Sequence, residues 1–397
     1  MKNLKVLLSL CDFEIGGIQI SSINFMNCIL NNFKNVDLDV FILAKNGPLL
    51  NKAPKSIKII EACKELKPFG VSQGKAKKYG LKFWFKRTLI AVKCKVFGNK
   101  SVFSKCLKKQ DNVGDYDLAI AFAPSSGTHS MSCGRSEIVL QKVRAKKKVV
   151  FFHNDILLSG LNEEYCISQL KQFDKIYCVS KSCADNMKTI LPEMSAKIDY
   201  MYNFQNDKNI VESSKMFRVD YPKSFNIVSV SRISEEKAHI RSLRIFKRLH
   251  EEGYVFNWNI VGDGKNKKDI EEYIKKNNMQ SYVFLYGNQN NPYPFMKSAD
   301  LFYLGSYHEA APMVFAESML LGVPVLSTNT SSAKELIGDY GFVCDNEEIG
   351  IYNAIKEILE NKELVNTKKL NLKEYKSTNE VAYSKLKNLL DGEEYDS

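Results

Sequence analysis

Short apolar runs alternate with longer stretches of helical periodicity along most of the chain. The runs lie at 6–10, 38–43, 118–122, 149–152 and 176–179 in the first half, and at 227–230, 258–261, 283–286, 301–304 and 325–327 in the second. An uninterrupted apolar run bounded by polar residues is typical of a strand buried on both faces. The alternation of such strands with helices predicts an α/β protein with parallel sheets covered by helices.

A polar stretch at 203–224 interrupts the alternation, and we interpret it as a linker between two domains. The 397 residues are enough for two domains that each bury a core. We therefore expect Rossmann-like domains at 1–203 and 204–372. The segment 373–397 predicts a C-terminal helix. Its apolar positions at helical spacing are Val381, Tyr383, Leu386, Leu389 and Leu390.

The positive charge is concentrated in one segment. Residues 64–109 contain fourteen Lys or Arg against one acid, Glu65, and carry a net charge of +13, whereas the whole chain carries +12. A basic surface of this kind attracts nucleic acids or anionic lipids. The sequence contains no nucleic-acid-binding motif, so we expect an anionic membrane surface as the partner and no nucleic acid.

Within this segment, apolar residues follow a helical stripe with basic residues beside it. The stripe is Leu81, Trp84, Phe85, Leu89, Val92 and Val96. A basic amphipathic helix with aromatic residues is typical of a membrane-surface anchor. The residues we assign to the membrane contact are Lys82, Trp84, Phe85, Lys86 and Arg87. The alternative is an ordinary domain helix with a charged face, because Phe83, Ile90 and Phe97 fall on the opposite side.

Ten cysteines are scattered without a Cys-x-x-Cys pair, and the first strand follows Met1 with no secretory leader. Cysteines of this kind favour free thiols over disulfides or a zinc site. No uncharged run is long enough for a transmembrane helix. We therefore expect a cytoplasmic protein.

Two glutamates flank the start of a predicted helix in the second domain. Glu309 follows the strand 301–304, and Glu317 lies about one and a half turns into a helix that begins at Pro312 and ends at Gly322. Both carboxylates can then line one crevice at the carboxyl end of the strand, where open parallel sheets bind ligands. The alternative is one helix cap and one solvated helix face.

These residues resemble the hallmark of the retaining nucleotide-sugar glycosyltransferases with the GT-B fold, glycosyltransferase family 4 or group 1. The hallmark is Glu, seven residues and Glu, followed by Gly-x-Pro-Val, here Glu309 to Glu317 and 322–325. Further matches follow in the same order along nearly the whole chain. They are Gly16-Gly17, His153-Asn154-Asp155, Val230-Ser231-Arg232, Glu236-Lys237, Val261-Gly262-Asp263-Gly264 and Asn291-Pro292-Tyr293-Pro294. The last match is most similar to bacterial polysaccharide-assembly members.

The resemblance implies two Rossmann-like domains with parallel sheets that face each other across a cleft, and a C-terminal helix that crosses back to the first domain. It implies transfer of a sugar from a nucleotide sugar, expected to be a UDP-sugar, with retention of configuration and no metal or other cofactor. Together with the basic segment, it implies a lipid-linked saccharide acceptor for a surface polysaccharide and a peripheral location on the inner face of the cell membrane. Two alternatives stay open, namely a soluble acceptor and a GT-B-like partner subunit without catalysis.

By resemblance, Arg232 and Lys237 bind the donor diphosphate, whose departure needs cations or a helix N-terminus. Both follow the strand 227–230 at its carboxyl end. The alternative is a surface ion-pair cluster with Glu235 and Glu236.

The resemblance also assigns the two glutamates. Glu317 accepts hydrogen bonds from the ribose, and Glu309 faces the donor sugar. Backbone amides at the start of the helix hold sugar hydroxyls and phosphate, and they belong to Ala310, Ala311, Met313 and Val314. Gly262 either shapes the nucleotide pocket or forms a plain turn.

In the first domain, Gly16 and Gly17 follow the first strand and let backbone amides approach a phosphate or sugar. His153 ends the strand 149–152 and is either a cleft residue near the sugar or a structural histidine. Asn203 matches a recurrent family asparagine that serves the site or the hinge. Two Asp-x-Asp triplets, 37–39 and 115–117, are expected to precede strands at the wrong end of the sheet for a metal-dependent site.

Overall fold

The computed structural model describes residues 3–125, 131–156 and 164–392, which divide into two compact units. The first unit contains the residues up to Phe204 together with those from Glu380 onward, and the second runs from Gln205 to Asn379. The end of the predicted C-terminal segment, 393–397, lies outside the described residues.

The first unit is built on a seven-stranded sheet within the described residues. Its strands are β1 (Leu4–Leu10), β2 (Val36–Ile42), β3 (Lys58–Glu61), β4 (Gly114–Ala121), β5 (Val143–Phe152), β6 (Lys175–Cys178) and β7 (Ile198–Tyr200). All neighbouring strands are parallel, in the order β3-β2-β1-β4-β5-β6-β7. Because β4 lies between β1 and β5, the segments that follow these three strands emerge at the same edge of the sheet.

The helices of the first unit surround this sheet. They are α1 (Gly17–Asn32), α2 (Gln73–Ala76), α3 (Leu81–Phe97), α4 (Asn99–Leu107), α5 (Arg135–Lys142), α6 (Glu164–Leu170) and α7 (Lys181–Ile190). The apolar face of α1, including Phe25, Met26 and Ile29, packs into the same core as β1 and β4. Because α1 follows β1 after a short loop, it begins at the carboxyl edge of the sheet.

The second unit contains a six-stranded sheet, which is also parallel throughout. Its strands are β8 (Phe225–Val230), β9 (Phe256–Val261), β10 (Val283–Gly287), β11 (Leu301–Leu304), β12 (Val325–Thr328) and β13 (Gly341–Cys344), in the order β10-β9-β8-β11-β12-β13. The connecting helices are α8 (Asp207–Ser213), α9 (His239–Glu251), α10 (Lys267–Lys276), α11 (Tyr293–Lys297), α12 (Met313–Leu320), α13 (Ala333–Ile337), α14 (Glu348–Glu360) and α15 (Glu363–Asn371). The central neighbours β8 and β11 lie at the point where the strand order reverses, which is where open α/β sheets bind ligands.

A last helix, α16 (Asn379–Asp391), belongs to the core of the first unit. Its side chains Ala382, Leu386, Leu389 and Leu390 are buried there. It begins later than the predicted boundary at 372, because Leu372 and Tyr375 still pack into a core of the second unit.

The apolar runs correspond to the central strands and to the edge strand β10, whereas three strands were missed. These are β3, β7 and β13, each at the edge of its sheet. An edge strand has one unpaired side and is partly exposed, so β3 has only two apolar residues, Ile59 and Ile60, between two polar ones. The stretch 203–224, which we interpreted as a linker, contains α8, and the boundary between the two units, after Phe204, lies at its start.

The two Asp-x-Asp triplets lie inside strands and not before them, near the amino ends of β2 and β4. Asp39 accepts a hydrogen bond from the Tyr116 hydroxyl at 2.9 Å, and Asp115 is paired with Arg144. Among the described residues, no group of three or more His, Cys, Asp or Glu side chains is placed to hold a metal ion. Nor does this part of the chain contain a helix that is long and apolar enough to cross a membrane.

Candidate functional site

The loop after β8 is held in place by two glycines from the loop after β9. Gly262 has a φ of 151°, and a Cβ on it would lie 1.9 Å from the Ser231 carbonyl oxygen. A Cβ on Gly264 would lie 2.1 Å from the Ile233 carbonyl oxygen. Both positions therefore require glycine, and Gly262 acts on the site by letting the two loops pack directly against each other.

Lys237 and Glu309 meet in the second unit as a nearly buried ion pair. The Lys237 Nζ donates to the Glu309 Oε1, and the two side chains are 16% and 12% exposed. The Ser306 hydroxyl donates to the same oxygen at 2.6 Å, and Ser306 itself is fully buried. Oε1 is thus held by two donors, while no described residue is seen to bond the Glu309 Oε2.

Arg232 is not part of this pair. Its side chain is 72% exposed and pairs with Glu236 at 3.2 Å, four residues further along the chain. The structure therefore brings Lys237 to Glu309, as a shared site requires, but leaves Arg232 at the surface in the ion pair that the alternative interpretation described. An exposed pair of this kind adds little stability, so Arg232 is free to change partners.

The start of α12 lies beside this ion pair. The helix begins at Met313 with Pro312 as its N-cap, one residue later than predicted, and no side chain caps it. The amides of Met313 and Val314 have no carbonyl partner within the helix and carry the positive end of its dipole. Ala310, just before the cap, is buried, and Ala311 is half-buried. The arrangement is suited to an anion.

Glu317 lies inside the unit and not on a solvated helix face. Its side chain is 6% exposed, and no described residue donates a hydrogen bond to its carboxylate. Burial raises the pKa of Glu317 from 4.5 to about 7. A buried carboxylate without a partner is costly for the fold, which is typical of a functional group and not of a structural one.

Sequence reasoning missed Arg241, which fastens the loop that carries Glu309. This arginine is 5% exposed and donates to the Gly305 carbonyl oxygen at 2.7 Å and to the Asn346 carbonyl oxygen at 2.9 Å. Its guanidinium stacks 4.3 Å from the ring centroid of Tyr307. The Asn346 amide in turn donates to the Tyr307 carbonyl oxygen at 2.7 Å. A basic residue on a helix predicts a solvated face, so only the tertiary contacts reveal this role. Ser306 could have been found from its position directly after a buried strand.

In the first unit, His153 follows β5 and its ring contacts Phe122. The ring donates to the Phe122 carbonyl oxygen, while its Nε2 is buried and has no hydrogen-bond partner among the described residues. Burial, with a smaller contribution from the Arg135 charge, lowers the pKa of His153 to about 3. The imidazole is therefore neutral near pH 7, with Nε2 as an acceptor.

Gly16 and Gly17 form the uncapped start of α1 at the same sheet edge. Gly16 is the N-cap in an ordinary extended conformation, and a Cβ on Gly17 would meet no atom within 4 Å. Glycine is therefore not required there by the fold of the unit. Asn203 lies next to the same helix, because its Oδ1 accepts from the Ser21 hydroxyl at 2.6 Å.

The basic segment contains the predicted amphipathic helix, which is α3. The prediction was partly wrong about which of its residues face the solvent and which face the protein. Trp84 is half-buried and packs against a small cluster with Val71. The Arg87 Nε donates to the Val71 carbonyl oxygen at 2.7 Å, so this guanidinium is bound to the protein. Trp84 and Arg87 therefore face the protein, because α3 is anchored by the side that also carries the buried Ile90 and Cys94.

The rest of the predicted stripe is exposed. Leu81, Phe85, Leu89, Val92 and Val96 are between 51% and 69% exposed. Lys82 is exposed beside them, and Lys86 is exposed although its Nζ donates to the Lys64 carbonyl oxygen at 3.1 Å. The helix thus has two apolar faces, of which only one is covered.

Residues 212–376 match the family model described as glycosyl transferases group 1. An uncharacterized glycosyltransferase of Methanocaldococcus jannaschii is 32% identical over 144 residues, which are 36% of this chain and 34% of that protein. The N-acetylgalactosamine-N,N'-diacetylbacillosaminyl-diphospho-undecaprenol 4-alpha-N-acetylgalactosaminyltransferase of Campylobacter jejuni is 27% identical over 223 residues, 54% of this chain and 59% of that protein. The chain thus spans between about a third and three fifths of the length of these curated relatives.

Solved structures extend the comparison to both units. HepE from Anabaena in complex with UDP-glucose superposes with a TM-score of 0.65 at 14% identity, over 98% of this chain and 99% of HepE. At that identity the likeness shows the fold alone. It confirms the predicted α/β class and the GT-B fold.

Proposed function

We propose that this chain, whose residues 212–376 match the family model of the group 1 glycosyl transferases, moves a sugar from a UDP-sugar to a lipid-linked saccharide with retention of configuration. The product extends a surface polysaccharide such as a capsule or exopolysaccharide. One observation carries the proposal: Lys237 is fixed by Glu309 beside the uncapped start of α12. The glycosyltransferase relatives and the GT-B fold support the reaction class.

When the nucleoside diphosphate leaves, negative charge develops on its phosphates, and the site must stabilise that charge. Lys237 and the amides of Met313 and Val314 offer positive charge and donors to the phosphates without reorganisation. Arg232 leaves its surface pair with Glu236 and binds the diphosphate from the solvent side. These groups supply the charge that a divalent cation would otherwise supply, so we propose a reaction without a metal or cofactor.

Glu309 orients the sugar and does not act as the nucleophile. Its Oε1 is occupied by Lys237 and Ser306, which leaves Oε2 to accept from a sugar hydroxyl. In the proposed front-face displacement, the leaving phosphate takes the proton of the acceptor hydroxyl. The amides of Ala310 and Ala311 are assigned to the sugar and phosphate oxygens.

Glu317 and Gly262 are assigned to the nucleoside. The ribose hydroxyls are donors, and their hydrogen bonds would give the buried Glu317 carboxylate the partners that the described residues do not provide. Gly262 keeps the β9 loop close to the β8 loop, which shapes the pocket wall. This assignment explains why the chain keeps a destabilising carboxylate in its interior.

In the first unit, His153, Gly16, Gly17 and Asn203 are assigned to the sugar and the acceptor. The neutral His153 accepts a hydrogen bond from a sugar hydroxyl at Nε2. The start of α1 at Gly16 and Gly17 offers amides to a phosphate or hydroxyl group, and Asn203 is held beside it by Ser21.

The exposed side of α3 supports a lipid-linked acceptor over a soluble one. Its apolar side chains have no covering partner among the described residues, and the surrounding segment 64–109 carries +13. Apolar insertion and attraction to anionic lipids together would hold the protein on the inner face of the membrane. Phe85 is the aromatic residue of that contact, with Lys82 and Lys86 at the headgroups.

The reaction is tested by incubating the purified chain with a panel of UDP- and GDP-sugars, with and without a membrane lipid extract, and measuring released nucleoside diphosphate. We expect release with one UDP-sugar, and only when the lipid extract is present. Lys237→Ala should lower the release at least about a hundredfold, since removing one buried charged donor commonly has this effect on transfer. Lys265→Ala, which removes an exposed lysine of the same unit, is the matched control.

Wild-type activity in Lys237→Ala would refute the assignment of the site. Tight nucleotide binding with no release under any condition would favour a non-catalytic partner subunit. Release that needs only a soluble saccharide would favour the soluble acceptor.

The membrane contact is tested separately with anionic and neutral vesicles. Leu89→Ser combined with Val92→Ser should release the protein from anionic vesicles, because both exposed apolar side chains lose their insertion energy. Val255→Ser removes a valine of the second unit that is more exposed still, at 74% against 51% for Val92, and should have no effect. Equal binding of all three proteins would exclude α3 as the membrane contact.

A further inference from the structure

A cavity of about 600 Å³ lies in the second unit at the amino end of β8, beside the end of α11. Four basic side chains belong to its wall, against one acid among the described residues that form it. The bases are Lys215, Arg218, Lys223 and Lys297, and the acid is Asp220. Four bases against one acid leave a local charge of +3, whereas the chain outside 64–109 carries about −1 in total, because the whole chain carries +12 and that segment +13.

The segment that carries three of these bases is held in place by hydrogen bonds. The Asn226 side chain is 7% exposed, and its Nδ2 donates to the Ser224 and Pro222 carbonyl oxygens at 2.8 and 3.2 Å. The Tyr221 hydroxyl donates to the Phe295 carbonyl oxygen at 2.9 Å, which joins the segment to α11. The bases of the wall are therefore presented by a fixed backbone.

The polar groups of the wall are available to a ligand. Arg218 pairs with Asp220 at 3.1 Å, but the two side chains are 88% and 84% exposed, so the pair is weak and the guanidinium can change partners. The three lysines of the wall are exposed, and none of their ammonium groups pairs with another described residue. The Ser224 hydroxyl is buried and has no hydrogen-bond partner in the described part of the chain.

The cavity is separate from the site around Lys237 and Glu309. That site follows the carboxyl end of β8, whereas the cavity lies at the amino end of the same strand, which contains 6 residues. At about 3.3 Å per residue, the strand is roughly 20 Å long. A diphosphate held by Lys237 therefore does not reach the four bases of the cavity.

We propose that this cavity binds a phosphate-bearing ligand, which is either a free phosphate compound or the headgroup of an anionic lipid. A phosphate group carries up to two negative charges, and its oxygens accept charge-assisted hydrogen bonds from both Arg and Lys. In the bound state Arg218 leaves Asp220, and the Ser224 hydroxyl turns to donate to a phosphate oxygen. Phe217, which is 45% exposed in the same wall, offers an apolar surface to the rest of the ligand.

The size of the cavity, about 600 Å³, is within the range of small-molecule sites. The site is independent of the transferase activity proposed above, and it can be tested in the absence of any sugar nucleotide.

The test is acetylation of the surface lysines of the full-length protein, with and without inorganic pyrophosphate, followed by peptide mass spectrometry. We expect pyrophosphate to slow the acetylation of Lys215, Lys223 and Lys297 at least about threefold once most sites are occupied. Lys268 and Lys275, exposed lysines of α10, are the control and should react at an unchanged rate. Equal protection of all five lysines, or protection of none, would overturn the proposal.

Paired variants locate the site. Lys223→Gln combined with Lys297→Gln should weaken the binding of pyrophosphate to the cavity at least about tenfold, because two charge-assisted hydrogen bonds are lost. Lys268→Gln combined with Lys275→Gln removes the same charge and should bind as wild type. Lys237→Ala should leave the protection of Lys297 unchanged, which separates the cavity from the proposed donor site. Wild-type affinity in the first pair would contradict the assignment of these lysines.

Ser224→Ala tests the buried hydroxyl. It should weaken the binding of pyrophosphate about threefold, because one neutral donor is lost. It should not lower the melting temperature, since the hydroxyl has no described partner to lose. Unchanged affinity would show that the hydroxyl does not contact the ligand.

Vesicles distinguish the two sources of the phosphate group. They are added to the protein with Leu89→Ser and Val92→Ser, which removes the apolar contact proposed for α3. Protection of Lys297 by vesicles that contain phosphatidic acid, but not by phosphatidylcholine vesicles, would identify a lipid headgroup. Protection by pyrophosphate alone would identify a free phosphate compound, and protection by neither would refute the site.

Discussion

The buried Glu317 makes a prediction that can be worked through in numbers. Its pKa is raised from 4.5 to about 7, and no described residue compensates the ionised form. Between these two pH values the folded state keeps a proton that the unfolded state has lost. Stability therefore falls as the pH rises through this window and levels off above it. At about 1.4 kcal/mol per pKa unit, the full loss is roughly 3 kcal/mol.

Glu317→Gln removes this titration. We expect the free energy of unfolding of the variant, relative to wild type, to increase by about 2.5 kcal/mol between pH 5 and pH 8. The buried amide of Gln also lacks a partner, which costs about 1 to 3 kcal/mol at every pH. The prediction therefore concerns how the free energy of unfolding changes between the two pH values, and not its value at either one.

Urea unfolding can report on the second unit alone. The chain has two tryptophans, and Trp84→Phe leaves Trp258, which is 1% exposed in the core of that unit, as the fluorescent reporter. Glu272→Gln, at an exposed glutamate of α10, is the control and should follow wild type at both pH values. Parallel stability curves for Glu317→Gln and wild type between pH 5 and pH 8 would refute the reasoning.

Three further predictions concern other parts of the structure. Burial lowers the pKa of His153 to about 3 and that of His239 to about 4, so neither imidazole should titrate between pH 5 and pH 8 when followed by NMR; a midpoint near 6.5 for either would contradict the burial described here. Arg241→Lys keeps the charge but loses the planar guanidinium whose hydrogen bonds hold the Glu309 loop. Sugar transfer should therefore fall about tenfold with little change in melting temperature. The control Arg244→Lys, at a half-exposed position of the same helix, should transfer sugar at the wild-type rate. Leu386→Ala removes a fully buried side chain from the first unit and should lower its free energy of unfolding by about 2 to 5 kcal/mol in urea; a loss under 1 kcal/mol would show that α16 is not part of that core.

The central strands could be predicted from the sequence because both faces are buried, which requires uninterrupted apolar runs. The edge strand β10 also forms an apolar run, but the edge strands β3, β7 and β13 do not, since each is short and partly exposed. The same physics explains α3. Its sequence has apolar residues on two sides, and periodicity alone cannot say which side the rest of the protein covers.

The sequence predicted those residues of the candidate site that directly follow a strand or lie near the start of a helix. Lys237, Glu309 and Glu317 follow buried strands or the start of a helix, and their neighbourhood could be expected from the topology. The buried contacts of Arg241 with Asn346 join residues that are 105 positions apart, so only tertiary structure reveals them. The exposure of Arg232 was missed for a related reason, because spacing along a loop does not fix the direction of a long side chain.

The position of α16 has a consequence for how the chain acquires its structure during synthesis. Residues 1–204 leave the ribosome first, but the buried side chains Leu386 and Leu389 that complete their core are made last. The second unit, 205–379, is continuous and is the first whose residues are all available for folding. Translation therefore delivers a finished C-terminal unit while the earlier one still exposes the apolar surface that α16 will cover. A nascent chain arrested before Leu386 should need chaperone protection of its N-terminal half.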